Sequence, residues 1–463
     1  MTSLTLGRIA HRRGALALFI VLAAQCMFSM DLLVVVVALP RIQQDLGFTP
    51  ANLAWVLNAF GLAFGGLLLL GGRLGDMIGQ VRAFRAGLSV FTLASLLGSM
   101  APTPGVLVAA RVLQGIGAAL AGPSVLALVM VMARNSAEQA RGMSLFIAVS
   151  TIGASAGLIL GGVLTEFFSW RWSLLVNVPV DAAVVVMVGR LVAETSPKKA
   201  RLDVVGALTA TLGSVALVYG FVRAAESGWA SSVTILSFVA ALALFMVSVR
   251  TERGHPEPLL DLHLLQDRSR LGGLAVMALI VGVHFALLFM LVQYLQRILG
   301  YTPLVTGLAY MPLTATVFVI SHFVPRLIRH FGVRTLLAAG SGLLATSLLG
   351  FARLTEHDSY FPAVLMPLLL HAIGIALVFA PGTVAMVQGV RDAHAGAASG
   401  LLQMDQQIGG ALGIAVISSI YASTAVRGRY VSGLPAAFGT GALIALVAAV
   451  VAWRALLRQP DPH

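Results

Sequence analysis

The chain has 463 residues, 58% of them apolar and only 10% charged. That usage excludes an ordinary water-soluble domain and describes a chain that crosses a bilayer many times. The formal net charge of +12 invites a nucleic-acid reading, but the positions of the charges argue against one. Runs of roughly twenty apolar residues, enough to span a bilayer, fall near 14–39, 51–71, 83–101, 105–132, 142–165, 173–193, 204–222, 230–249, 271–296, 303–325, 335–352, 361–388, 396–424 and 434–457. They predict an all-α membrane protein with fourteen transmembrane helices.

The first run follows Arg12 and Arg13, as in a signal peptide, but it is too long and has no small-residue cleavage site. With a cytoplasmic N-terminus, 22 of the 30 Lys and Arg fall in inside segments and 7 in outside segments, while Arg111 lies within a span. This asymmetry puts both termini in the cytoplasm and accounts for the net charge. Cys26 is the only cysteine, which excludes an internal disulfide and a thiolate metal cluster.

The connection between spans 2 and 3 is short, polar and glycine-rich. It carries Gly72, Arg73, Asp76, Gly79 and Arg82, with charges of both signs at one membrane face. An echo follows eight helices on, where Arg326-Leu327 precedes Gly332 as Arg73-Leu74 precedes Gly79. Gly153, Gly157 and Gly161 in span 5 are echoed by Gly409 and Gly413 in span 13. An offset of eight implies two six-helix halves with a two-helix insertion. The divisions are a cytoplasmic N-terminus 1–13, a six-helix bundle 14–200 and inserted helices 201–250. A cytoplasmic linker 251–270 holding Pro256, Pro258 and a surface helix leads to a second bundle 271–458 and a tail 459–463.

An ionisable side chain in hydrocarbon costs about 2.5–3.5 kcal/mol on insertion scales, so each is a functional candidate. Asp31 lies about nine residues from the outer end of span 1, or about 13 Å at 1.5 Å per residue. Arg111 enters span 4 from the same side to a similar depth. A guanidinium that approaches and leaves a carboxylate makes a proton-coupling pair. Asp405 falls near the middle of span 13 among Gln403, Gln406 and Gln407, a polar turn that requires a cavity or a polar partner, so Asp405 joins Asp31 and Arg111 as a proton-coupling candidate, with cation binding the other role it could serve. Asp181 and Glu166 read as nearer the outer surface and peripheral. His284 and His371 are titratable but read first as packing residues. Asn58, Phe60, Gln114, His284, Phe285, Phe289, Tyr310 and Gln403 are candidate cavity contacts.

The loop Gly72–Arg82 resembles the G-x-L-x-D-x-x-G-x-x-R loop between helices 2 and 3 of major facilitator superfamily transporters. Met30-Asp31 through Ala38-Leu39-Pro40, then Arg111 with Gln114-Gly115, then Gly157 with Gly161-Gly162, then Asn177-Val178-Pro179, are similar to the fourteen-helix drug:proton antiporters of the EmrB/QacA type. The resemblance implies the major facilitator fold, a conformational latch at Gly72, Arg73, Asp76, Gly79 and Arg82, antiporter-motif helix packing at Gly153, Gly157, Gly161 and Gly162, and a coupling role for Arg111. Three positions depart from it. Leu158 replaces the usual proline, Leu33 and Val36 replace Thr and Asn, and Asp181 stands where glycine is usual. The second departure predicts a cavity poor in hydrogen-bonding groups and an apolar substrate.

The expected function is proton-coupled efflux of small hydrophobic or amphipathic compounds such as drugs or antibiotics, by alternating access in a bacterial plasma membrane. A proton-coupled importer of the same fold is the alternative. A membrane-embedded enzyme is disfavoured, since the chain has no Gly-x-x-x-x-Gly-Lys phosphate loop and no His-Glu-x-x-His pair. The expected partners are the lipid bilayer, a small-molecule substrate and protons, with no nucleic acid, no metal, no cofactor beyond the proton gradient, and a monomeric state.

Overall fold

The computed structural model describes residues 2–49, 52–133, 135–197, 203–254, 268–387, 395–426 and 429–455. The linker at Pro256 and Pro258, with its expected surface helix, and the 459–463 tail lie outside the described residues. Among those described, the chain is all-helical and carries no strand beyond a single bridge from Val426 to Arg429. In order, the helices are α1 (Thr2–Leu46), α2 (Trp55–Ile78), α3 (Gln80–Ser99), α4 (Pro104–Met132), α5 (Ser136–Phe167), α6 (Trp172–Leu175), α7 (Asn177–Leu191), α8 (Val204–Ser227), α9 (Ser232–Gly254), α10 (Arg268–Arg297), α11 (Pro303–Ala309), α12 (Met311–Phe351), α13 (Leu365–Val387), α14 (Ala395–Thr424) and α15 (Leu434–Ala455).

Among the described residues, thirteen segments are long and apolar enough to cross a membrane. The segment Pro303–Phe351 covers two of the apolar runs, 303–325 and 335–352, without a helix-free loop between them. Its 49 residues would reach about 73 Å at 1.5 Å per residue, more than twice a hydrocarbon core of about 30 Å. The backbone turns within it at Gly332, where φ is 75° and ψ 159°. Gly79 turns α2 into α3 in the same way, with φ 100°. A side chain would strain either position, so the two glycines that the sequence echo singles out perform the same backbone task.

The start of α10 and the end of α15 lie together, since a Cβ on Gly272 would come 2.6 Å from Ala455 Cβ. The opposite end holds the α1–α2 connection. There the two halves of the chain meet. Gln296 Nε2 donates to Val37 O at 2.8 Å, the Arg297 guanidinium donates to the Gln43 side chain, and the Leu304 amide donates to Glu166 Oε2 at 2.9 Å. This distal end is closed.

Close helix approach depends on small residues, because lipid offers no hydrophobic drive between helices. Gly153, Gly157 and Gly161 of α5 receive the backbone of Cys26, Met30 and Val34 of α1, matching its four-residue step. Gly162 faces away from that seam, onto Pro303 and Leu304 at the start of α11, and Gly307 receives Leu158. Gly409 and Gly413 of α14 pack against Ala278 and Gly282 of α10.

Helix α8 packs on α2 and α14 at once. Val218 joins Leu62 of α2 and Ala411 and Ala415 of α14 in one small apolar cluster, and Thr211 sits over Gly66.

Candidate functional site

The expected pairing of Asp31 with Arg111 is present, and both side chains are fully enclosed. Arg111 Nη1 donates to Asp31 Oδ2 at 2.5 Å and to Gln114 Oε1 at 2.9 Å, and Nε donates to Val56 O at 2.9 Å. The guanidinium lies 4.6 Å over the Phe60 ring. Gln114 Nε2 donates to Ser95 Oγ at 2.8 Å and, more weakly, to Asp31 Oδ1 at 3.3 Å. Asn177 Nδ2 completes the carboxylate's shell at 2.7 Å from Oδ1. Five helices therefore contribute, because α1, α2, α3, α4 and α7 converge there. Buried charge in a membrane is tolerable only with such partners, and Arg111, Gln114 and Asn177 each supply a donor to Asp31.

A narrow cavity of about 20 Å³ abuts the pair, space for about one water. Leu32, Asn58, Arg111, Phe285 and Gln407 are among its walls, so α1, α2, α4, α10 and α14 face one another across it. Among its wall residues, Arg111 Nη2 and both amide atoms of Asn58 have no hydrogen-bond partner among the described residues, and neither has Asp405 Oδ2 on α14. Asp405 and Gln403 are half-buried on α14, while Gln407 reaches the cavity wall.

Several expectations need correction. Tyr310 and Phe289 do not line the cavity. Tyr310 is fully buried with its hydroxyl donating to Leu288 O at 3.0 Å, and Phe289 is packed in the main apolar cluster. Phe60 is also fully buried, serving as the floor under Arg111 rather than as a stacking surface for a substrate. His284 is occupied by His371, with Nδ1 and Nε2 3.0 Å apart and the rings stacked at 17°. Val36 is buried in the core and Leu33 packs against it, so the missing hydrogen-bonding groups there leave the cavity unaltered. Val36 shares the face of Leu32 but lies one turn nearer the closed end. Asp181 is not peripheral. It is fully buried on α7, one turn from Asn177 and within electrostatic reach of Asp31.

In the polar loop after α2, Asp76 is held locally. Asp76 Oδ1 accepts from Gln80 Nε2 at 3.0 Å rather than from a helix of the other half. Glu194, which sequence reasoning did not single out, is the principal partner of the α3 N-terminus. Its carboxylate accepts the amides of Val81 at 2.9 Å and Arg82 at 3.0 Å, and it lies 3.8 Å from Arg82 Nε. Thr195 Oγ1 takes the Gln80 amide at 2.8 Å. The signal was available in principle, since α3 begins Gly79-Gln80 with no capping residue of its own. Gly72, Arg73, Gly79 and Arg82 fall on the same corner.

The arrangement is that of a permeation site. It has a closed distal end, a central cavity between helices of both halves, and a sealed ion pair at its wall. The family model described as Major Facilitator Superfamily matches residues 21–414. The puromycin resistance protein pur8 of Streptomyces alboniger is 37% identical over 460 residues, covering 94% of this chain and 90% of that protein. The cephamycin export protein CmcT of Amycolatopsis lactamdurans is 37% identical over 427 residues, covering 91% and 86%. A crystal structure of the peptide transporter POT in complex with sulfate superimposes with a TM-score of 0.70 at 14% identity, over 95% of this chain and 93% of that one, a likeness of fold alone.

Proposed function

The chain belongs to the major facilitator superfamily, and from that premise we propose that it is an efflux transporter that exports small hydrophobic or amphipathic compounds in exchange for protons. The export and resistance functions of its relatives support efflux. The observation that carries the proton reading is the enclosed Asp31–Arg111 pair beside the cavity. In this state Arg111 is bonded to Asp31. Separation of the two would leave a lone carboxylate in a low-dielectric site, where taking up a proton is the cheapest remedy. Protonation and pairing are therefore alternatives, and a substrate that draws Arg111 toward the cavity would couple to proton exchange.

The turn at Gly332 divides Pro303–Phe351 into two crossings, which supports fourteen spans and the EmrB/QacA type. With both termini cytoplasmic, as the charge asymmetry favours, the closed distal end is extracellular. The same reading places a monomer in a bacterial plasma membrane, driven by the proton gradient without a further cofactor.

The test is transport in proteoliposomes under an imposed pH gradient. Exchange reads as compound-dependent proton movement in the opposite direction, and Asp31→Asn should abolish it while leaving the protein folded. Co-uptake of compound and protons would favour the importer, and coupled exchange at wild-type rates in Asp31→Asn would overturn the role given to the pair.

A further inference from the structure

Asp181 is a buried carboxyl that the mechanism above does not use. Its side chain is fully enclosed, and neither Oδ1 nor Oδ2 has a hydrogen-bond donor among the described residues. Asn177, one turn earlier on the same face of α7, donates its Nδ2 to Asp31. Asp31 itself lies within electrostatic reach of Asp181. A carboxyl kept only for packing would be matched to a donor, because an unpaired buried polar group costs stability. This one is left without a donor, one turn from the Asn177 amide that binds Asp31.

The charges from the helices packed around it can be named. Asp31 comes from α1, with Arg111 of α4 beyond it, engaged by Asp31 at 2.5 Å. Arg85 of α3 lies one turn further along α7, where Nε donates to Val185 O at 3.2 Å, and Arg82 of α3 is next to Glu194 at the helix end. One guanidinium thus serves two enclosed carboxyls. Two carboxyls and one guanidinium are together electrically neutral only when the carboxyls hold a single proton, and Asp31 already has three donor contacts.

We infer that Asp181 is a second proton-carrying residue of the transport cycle, forming with Asp31 a coupled carboxyl pair that retains one proton while Asp31 is bound to Arg111. The step is a transfer of that proton between one Asp181 oxygen and one Asp31 oxygen, with the negative charge moving the opposite way. When Arg111 leaves, the pair takes a second proton. The inference rests on the proton-exchange reading for its role in transport, but not for the protonation itself.

Infrared spectra of the purified protein in H2O and D2O test it without any substrate. The wild type should show the C=O stretch of an enclosed protonated carboxyl at neutral pH. Asp181→Asn should lose that band, Asp181→Glu should move it, and Asp31→Asn should keep the band at a shifted frequency because its partner's charge is gone. An unchanged band in Asp181→Asn, or an unshifted one in Asp31→Asn, would overturn the inference. If Asp181→Asn fails to fold, the displaced band in Asp181→Glu decides the same point. Failure of proton exchange in the proteoliposome assay, with the band behaving as stated, would refute the transport reading and leave the coupled pair standing.

Discussion

Gly162→Ala separates the closed distal end from the helix packing beside it. A Cβ at this position would come 2.7 Å from Pro303 O and 2.8 Å from Leu304 Cα, both backbone atoms of the opposite half. Ordinary van der Waals contact begins near 3.4 Å, so α5 and α11 must part by roughly 0.6–0.7 Å. Overpacking of this kind costs about 1–3 kcal/mol. In an alternating-access cycle, that cost falls only on the state in which the two halves touch here. The equilibrium should therefore move toward the distally open state by about 5- to 150-fold. Gly157→Ala is the control. Its Cβ would lie 2.6 Å from Met30 O, but α5 and α1 belong to one half, so opening the distal end does not require that contact to part. It should lower the melting temperature without changing the balance of states. Cysteine pairs placed across the distal end in a Cys26→Ser background, read by spin-label distances, report that balance directly. Equal distance distributions in Gly162→Ala and the wild type would refute the claim that this contact is the gate. A matching shift in Gly157→Ala would show that generic loosening is responsible.

Arg111→Lys keeps the charge but loses the planar fork, including the Nε bond to Val56 O and the stacking on Phe60. A lost charge-assisted bond is worth about 1.5–3 kcal/mol, so efflux should fall on the order of ten- to a hundredfold, measured as initial rates in vesicles; wild-type rates would reduce the residue to a topological charge. Glu194→Ala removes the acceptor of two α3 amides and should cost about 1–2 kcal/mol, visible as a lower melting temperature in detergent. An unaltered melting curve would make that cap incidental. Asp405→Asn should weaken export of lipophilic cations more than that of neutral compounds, since it removes the acidic group of α14, a helix that also supplies Gln407 to the cavity wall. Equal losses in a paired-compound transport assay would assign Asp405 to protons or to structure instead.

The fold was legible because hydrocarbon permits few solutions. Long apolar runs must be helices, arginines mark one face, and glycines at four-residue spacing must seat a neighbour. The pairing of Asp31 with Arg111 was legible for the same reason, as two opposite charges at one depth have little alternative to meeting. Which face a helix turns inward was much harder to read. Tyr310, Phe289 and Phe60 have the chemistry of a substrate contact, yet each is spent on packing, and an aromatic ring in an apolar helix carries no mark to distinguish the two. Asp181 was misplaced because its depth was judged from the helix end, whereas the packing of α7 on α1 decides what it faces. Glu194 lay in an unremarkable segment after α7, and only the chain's return to the α3 N-terminus gives it a task.

The placement of α8 bears on how a greasy molecule gets in. A compound dissolved in the bilayer can reach a central cavity sideways, between helices of the two halves, without ever entering water. Along the seam of α2 and α14 that doorway is shut twice, first by their own contact and then by Val218 and Thr211 of α8 laid over it. Helix α8 thus makes the protein's two flanks unequal, and a compound that entered from lipid in this way would have to use the flank that α8 leaves uncovered.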